Sequence, residues 1–201
     1  MHSTLVRAQN VFGFFTTVAF FVAGLVSLTS LLYPANVSVD VIRANSVKMY
    51  CISSFISFSR AAGLCVGGRA HQYYATKVQE YAVLNFDLEA DLSSLFNWNT
   101  KQVFAYVSAT YPGSKYTDNE VVIWDTILPS RSASKLILKN ERAKYSINDI
   151  TGKFAGRDDV TLSFHWNVQP HVGRLTWGVV GLTEGVKFPE VEKAGKKSAA
   201  K

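Results

Sequence analysis

An uncharged apolar stretch at residues 11–33 constrains this chain more than any other part of its sequence. It reads VFGFFTTVAFFVAGLVSLTSLLY and contains five Phe, four Val and four Leu residues. As a helix it is roughly 33 Å long, enough to cross the hydrocarbon core of a bilayer, about 30 Å thick. These apolar side chains together favour membrane insertion by about 4–8 kcal/mol. Because Tyr33 suits the membrane interface and Pro34 ends the helix, the stretch predicts one transmembrane helix at 11–33.

A cleaved signal peptide is the alternative interpretation of this stretch. Such peptides have a shorter apolar core, about 7–15 residues, and small residues at the cleavage site. The sequence Leu31-Leu32-Tyr33-Pro34 does not fit that pattern, so we expect an uncleaved signal anchor. The flanking charges do not decide its orientation, because Arg7 precedes it while Arg43 and Lys48, offset by Asp40, follow it.

A second apolar stretch, at residues 49–66, does not qualify as a membrane span. Its favourable side chains contribute about 2–4 kcal/mol, and Arg60 within it costs about 2.5–3.5 kcal/mol. The chain's two cysteines, Cys51 and Cys65, also lie here. They could form one disulfide in an oxidising compartment, but the sequence leaves their pairing open.

From Tyr81 onward the hydrophobic pattern changes to a period of two, which is typical of half-buried strands. The clearest case is VTLSFHWNV at 160–168, which Pro170 ends. Further strands are predicted at 81–92, 102–111, 120–128, 135–139 and 172–181, with a helical turn within 93–101. Strands at this spacing, without amphipathic helices between them, predict an all-β domain of the antiparallel β-sandwich type.

The basic charge of the chain is concentrated at its C-terminal end. The formal net charge is +6, and residues 185–201 hold five lysines against two glutamates. A nucleic-acid protein more often groups Lys and Arg on a folded face together with stacking aromatics. We therefore predict a solvated, disordered tail and no nucleic-acid partner.

No motif in the sequence predicts catalysis or metal binding. Gly63-Leu64-Cys65-Val66-Gly67 has the outline of a nucleophile elbow but lacks the strand before it and the helix after it. His165 and His171 lie six residues apart, and a zinc site needs a third ligand on a shared face. We expect no catalytic residue, no metal site and no cofactor.

Three acidic residues form the candidate partner face. Asp87, Glu89 and Asp91 alternate with apolar residues and so point from one face of a strand. A solvated surface tolerates them, while a calcium site or a basic partner are the alternatives. Together with Trp98 they form the predicted contact surface. Asn36, in the only Asn-x-Ser/Thr sequon of the chain, is the candidate glycosylation site, although it lies close to the predicted span.

Several stretches resemble the small glycoprotein subunit of the eukaryotic signal peptidase complex, the subunit 3 family. They are the anchor with its short head at 1–8, the acidic strand at 86–92 running into LFNWNTKQVF at 95–104, NEVVIWD at 119–125 and LSFHWNVQP at 162–170. The 95–104 stretch is long and unusual, which makes the likeness specific. It covers residues 1–50 and 74–189.

This resemblance implies a non-catalytic accessory subunit in the endoplasmic reticulum membrane, with a cytosolic N-terminus and a luminal C-terminal domain. Its partners would be the catalytic subunit, which it stabilises, the other subunits of the complex, and membrane lipid. We accordingly expect a cytosolic segment at 1–10, the anchor at 11–33, a membrane-proximal luminal segment at 34–80, a luminal β domain at 81–189 and the basic tail at 190–201.

The chain departs from that family in two places. Animal members carry an Asn-x-Thr sequon where this chain has Asp159-Val160-Thr161, so glycosylation there is lost. Residues 51–70 look like an insertion, whose deletion is expected to leave folding intact. The alternative functions are an independent membrane-tethered luminal binding module and a stand-alone hydrolase.

Overall fold

One long helix and two antiparallel sheets make up the described part of the chain. The computed structural model describes residues 3–30, 32–52, 79–113, 119–149 and 160–182. In chain order these contain α1 (Thr4–Ser30), β1 (Ser38–Ile52), β2 (Gln79–Asp91), β3 (Thr100–Tyr111), β4 (Asn119–Leu128), β5 (Lys135–Arg142), β6 (Ile147–Asn148), β7 (Thr161–Pro170) and β8 (Thr176–Leu182). Short 3-10 helices lie at Ser93–Leu95 and Arg131–Ala133.

The apolar N-terminal stretch forms α1, which starts earlier than the predicted span. Ser3 caps the helix, since its side-chain Oγ accepts a hydrogen bond from the Val6 amide (3.4 Å). The 27 residues of α1 extend about 40 Å. None of them is buried, and the mean hydropathy of the most apolar window is 2.2. Within the described ranges, α1 is the one helix long and apolar enough to cross a membrane.

The strands form two sheets that pack face to face, which confirms the predicted antiparallel sandwich. The first sheet has the order β1-β2-β5, and β6 pairs with β2 beyond β5. The second has the order β4-β3-β7-β8. All pairings are antiparallel.

The core between the sheets follows the period-two pattern of the sequence. In β2 the even-numbered residues from Ala82 to Ala90 are buried, and in β3 the odd-numbered residues from Val103 to Tyr111 are buried. The predicted apolar face of 160–168 is buried as well, with Phe164 fully inaccessible. Burying a large apolar side chain contributes about 1.5–3 kcal/mol, so these alternating residues hold the two sheets together.

Most predicted strands lie where the pattern indicated, and the differences have physical causes. β8 begins at Thr176 because the residues after Pro170 form the turn from β7. The predicted helical turn is confined to Ser93–Leu95. The strand β1 was not predicted from its pattern, since register shifts at Val39/Val41 and Ala44/Ser46 interrupt the period of two.

Two predicted segments fall largely outside the described residues. Of the insertion predicted at 51–70, only Cys51 and Ile52 are described, and they end β1. The elbow-like sequence at 63–67 and Cys65 are not among the described residues. The tail predicted at 190–201 also lies outside them.

Candidate functional site

The buried side chain of Asn99 joins α1 to the sandwich. It is 2% exposed. Its Nδ2 donates hydrogen bonds to Ser30 Oγ (2.6 Å) and to the Val172 carbonyl (2.7 Å). Its Oδ1 accepts from the Val172 amide (3.2 Å), and its own carbonyl accepts from the His171 amide (2.8 Å). The side chain therefore ties the last turn of α1 to the β7–β8 turn with its polar atoms paired.

Local hydrogen bonds in the segment before β3 hold Asn99 in this position. The Asn99 amide donates a hydrogen bond to Asn97 Oδ1 (2.9 Å). This hydrogen bond closes a turn of the kind that Asn favours. The Thr100 hydroxyl donates to the Leu95 carbonyl (2.8 Å) and closes the same loop. These residues belong to the unusual LFNWNTKQVF stretch. Its Asn and Thr side chains therefore hold the sandwich in contact with the end of α1.

Close approach of backbone at Gly173 also brings the β7–β8 turn against α1. Gly173 has a φ of 120°, which side-chain-bearing residues rarely adopt. A Cβ at this position would lie 2.7 Å from Ser27 Oγ. Glycine is therefore needed here both for the backbone conformation and for the room beside the helix.

The outward face of the second sheet carries an unusual amount of exposed apolar surface. Cross-strand pairing aligns Ile127 with Phe104, and Asn167 with Trp177, in one row across the sheet. Trp177 is 61% exposed, Val179 57% and Ile127 56%. We define the apolar face as this set: Phe104, Tyr106, Val122, Ile127, Trp177 and Val179. Contiguous exposed apolar surface of this kind commonly marks a contact with another protein.

A histidine with several partners lies in the middle of the apolar face. Ser108 Oγ lies 2.8 Å from His165 Nε2, and Glu120 Oε1 lies 3.2 Å from the same nitrogen. The Tyr106 ring stacks on the imidazole with centroids 4.8 Å apart. Burial lowers the pKa of His165 below its ordinary value, and the Glu120 carboxylate opposes that shift.

This histidine cluster does not have the geometry of a hydrolytic triad. In such a triad the nucleophile and the acid bond to opposite ring nitrogens of the histidine. Here Ser108 and Glu120 both approach Nε2, and Ser108 is fully buried in the sheet. His171 lies in the turn after β7 instead of beside His165, and the described residues contain no group of three potential metal ligands.

The three acids predicted as a partner face do share the outward face of β2, here called the acidic face. Asp87 accepts hydrogen bonds from Asn45 Nδ2 (2.7 Å) and the Asn140 amide (2.6 Å), and the latter lowers its pKa most. Asn140 has a φ of 51°, so Asp87 supports a left-handed residue in β5.

Asp91 is likewise engaged within the domain. Hydrogen bonds from Ser93 lower the pKa of Asp91, and Lys135 Nζ lies 3.8 Å from its carboxylate. Glu89 pairs across the sheet with Ile137, which is 67% exposed. The fourth predicted residue, Trp98, is 58% exposed in the turn before β3. A partner contact at these residues stays a prediction.

The candidate glycosylation site, Asn36, lies in the link between α1 and β1. It is exposed, and its carbonyl accepts a hydrogen bond from the Ser94 hydroxyl. Ser38 of the sequon is the first residue of β1. Modification of Asn36 stays a prediction.

The fold and these surfaces define a β-sandwich protein with one apolar helix and an exposed apolar face on its second sheet. The family model described as "Signal peptidase subunit" matches residues 1–191. The chain belongs to this signal peptidase subunit family.

Named relatives agree with that assignment. "Signal peptidase complex subunit 3" of Yarrowia lipolytica is 37% identical over 196 residues, covering 95% of this chain and 100% of the relative. The protein of the same name from Debaryomyces hansenii is 46% identical over 57% of this chain and 60% of the relative. The human one is 38% identical over 53% of this chain and 59% of the relative.

The lowered pKa of His165 predicts a pH-dependent stability. In the unfolded chain a histidine titrates at about 6.5, so as the pH falls the unfolded state takes up a proton before the folded state does. The free energy of unfolding should therefore fall between about pH 7 and pH 5.5 more steeply for the wild type than for His165→Gln. Urea unfolding of the full chain in detergent measures both profiles. Parallel profiles would contradict the prediction.

Proposed function

We propose that this chain is an accessory subunit of the endoplasmic reticulum signal peptidase complex. In this role it supports the removal of signal peptides from secretory precursors by stabilising the catalytic subunit. The family is a non-catalytic, accessory component of signal peptidase. Relatives named signal peptidase complex subunit 3 support membership of that complex. The independent luminal binding module is the alternative that the test below must exclude.

The proposed topology follows from α1. The helix crosses the endoplasmic reticulum membrane once, with the N-terminus in the cytosol and the sandwich in the lumen. Its length of 27 residues and its lack of buried side chains support a lipid-facing span. The link between α1 and β1 is short, so the sandwich lies close to the luminal surface of the bilayer.

The observation that carries the proposal is the exposed apolar face of the second sheet. Leaving Trp177, Val179 and Ile127 in water costs hydrophobic free energy that a partner's surface would recover. Interface centres favour aromatic residues, and this face contains Phe104, Tyr106 and Trp177. The acidic face of the first sheet differs from the apolar face, because two of its acids already have partners within the domain. The apolar face is therefore the proposed main contact with the catalytic subunit.

Two matched isoleucines test which face meets the catalytic subunit. Ile127 lies on the apolar face and is 56% exposed, while Ile137 lies on the acidic face and is 67% exposed. We expect Ile127→Asp to reduce recovery of the catalytic subunit at least about tenfold, because it places an unpaired charge in the interface. Ile137→Asp should leave recovery unchanged. The measurement is quantitative mass spectrometry after affinity purification of the tagged full chain in mild detergent.

The outcomes of this comparison are distinct. Loss of the catalytic subunit with Ile137→Asp alone would assign the contact to the acidic face and overturn the choice of face. A wild-type chain that purifies without the catalytic subunit would contradict membership of the complex and favour the independent binding module.

Protease protection tests the proposed topology. With the sandwich in the lumen, protease added to sealed microsomes should leave the C-terminal domain intact until detergent is added. The chain should also remain in the membrane pellet after alkaline carbonate washing, because α1 is held by the bilayer. Digestion of the sandwich in sealed microsomes, or release by carbonate, would contradict the topology.

A further inference from the structure

A cavity of about 210 Å³ lies where α1 meets the sandwich. Its walls come from the end of α1, the link to β1, the segment before β3 and the β7–β8 region. Pockets for drug-sized ligands are larger, about 300–1,000 Å³. The cavity therefore fits a small group or one end of a larger molecule.

The position of this cavity places it at the membrane surface, provided that α1 spans the membrane as proposed above. Ser27 and Ser30, in the last turn of α1, line the cavity, as does Tyr33 just beyond the helix. A helix of about 40 Å exceeds the hydrocarbon core of about 30 Å, so its ends reach the headgroup layer. The cavity consequently lies at the depth of the lipid headgroups.

The charge of the cavity wall favours an anion. Arg174 is the one charged residue among the described residues that line it, and none of those residues carries a carboxylate. A guanidinium matches the geometry of a phosphate and forms two parallel hydrogen bonds with it. Hydroxyl groups of Ser27 and Ser30 lie in the same wall, while Leu95, Val168 and Pro170 make part of it apolar.

The Trp166 ring forms a buried part of the cavity wall. Trp166 lines the cavity and is 6% exposed. Its indole Nε1 has no hydrogen-bond partner among the described residues. This nitrogen is itself inaccessible, so Trp166 contributes apolar wall to the cavity and no donor.

The β8 strand leaves room for this indole. A Cβ at Gly178 would lie 2.3 Å from Cζ2 of the Trp166 ring and 2.9 Å from Nε1. Glycine at this position therefore allows the ring to lie against the β8 backbone, beside the cavity wall formed by Thr176. Trp166 and Gly178 are a cross-strand pair, so the pairing of β7 with β8 fixes the position of the indole.

From these observations we infer that the cavity binds the phosphate-bearing headgroup of a phospholipid from the adjacent leaflet. Arg174 pairs with the phosphate, and the Ser27 hydroxyl in the same wall supplies a further donor. The apolar part of the wall accommodates the glycerol end of the lipid. Free phosphate offers the same anionic chemistry without that apolar portion, so the two sources can be separated by experiment.

Native mass spectrometry of the delipidated full chain in detergent tests this inference. The probes are dioleoylphosphatidylcholine, dioleoylglycerol, which has the same acyl chains without phosphate, and inorganic phosphate as a competitor. We expect one phosphatidylcholine to bind the wild type, and Arg174→Gln to weaken that binding about tenfold, as loss of a charged hydrogen bond would. Dioleoylglycerol should not bind, and inorganic phosphate should not displace the phospholipid.

Two further variants complete the test. Ala35→Trp adds a bulky side chain at the cavity wall without changing the charge, and it should also abolish binding. Arg131→Gln removes an exposed arginine outside the cavity lining and should bind as the wild type does. Thermal unfolding confirms that each variant is folded.

Equal binding by Arg174→Gln and Arg131→Gln would overturn the inference, as would binding of dioleoylglycerol or displacement by inorganic phosphate. The titration uses the chain without the other subunits. Failure here therefore leaves membership of the complex intact, whereas failure to recover the catalytic subunit leaves this titration unaffected.

Discussion

The buried Asn99 amide is the point at which the helix and the sandwich become one structure. Without it, the short link before β1 and the packing of Gly173 against Ser27 would join them. Its hydrogen bonds to Ser30 and Val172 fix the last turn of α1 against the β7–β8 turn. A buried amide with satisfied partners specifies one arrangement, because any other leaves polar atoms unpaired in the interior. The direction in which each sheet faces relative to α1 depends on this junction.

The two sheets then present different surfaces from the same scaffold. On the first sheet, acids on β2 accept hydrogen bonds from neighbouring backbone: Asp87 from Asn140 in β5, and Asp91 from Ser93. On the second sheet, large apolar side chains are exposed to solvent beside His165 and its partners. The first surface therefore contributes to the stability of the domain, while the second is the proposed contact with a partner. The junction places the cavity beside the helix end, next to neither sheet's outer face.

The sequence predicts the helix and most strands because each depends on local pattern. Period-two alternation identifies β7 from Val160 to Val168 without any knowledge of its neighbours. The same pattern does not predict β1, because its bulges near Val39 and Ala44 break the alternation. The pattern also places Asp87, Glu89 and Asp91 on one face correctly, but their partners come from distant strands.

The parts of the site that sequence reasoning missed all depend on tertiary register. His165 lies on the predicted outward face, yet its burial arises from Tyr106, Ser108 and Glu120, which reach it only through sheet pairing. The apolar face was not predicted, although the alternation of Trp177 and Val179 with glycine and valine could have suggested exposure. The LFNWNTKQVF stretch is noticeable as unusual sequence, but the partners of Asn99 lie about 70 residues away on either side.

Hydrogen–deuterium exchange at the β7–β8 turn tests this central junction most directly. The amides of His171 and Val172 both donate to Asn99, although they lie in an exposed turn. In the full chain reconstituted into lipid nanodiscs, these two amides should be as protected as those in β7, and Asn99→Ala should release the Val172 amide, which bonds to the side-chain oxygen, without exposing the β2 or β3 amides. Exchange of the wild-type turn at the rate of an unstructured loop would show that the sandwich is not fixed to the helix.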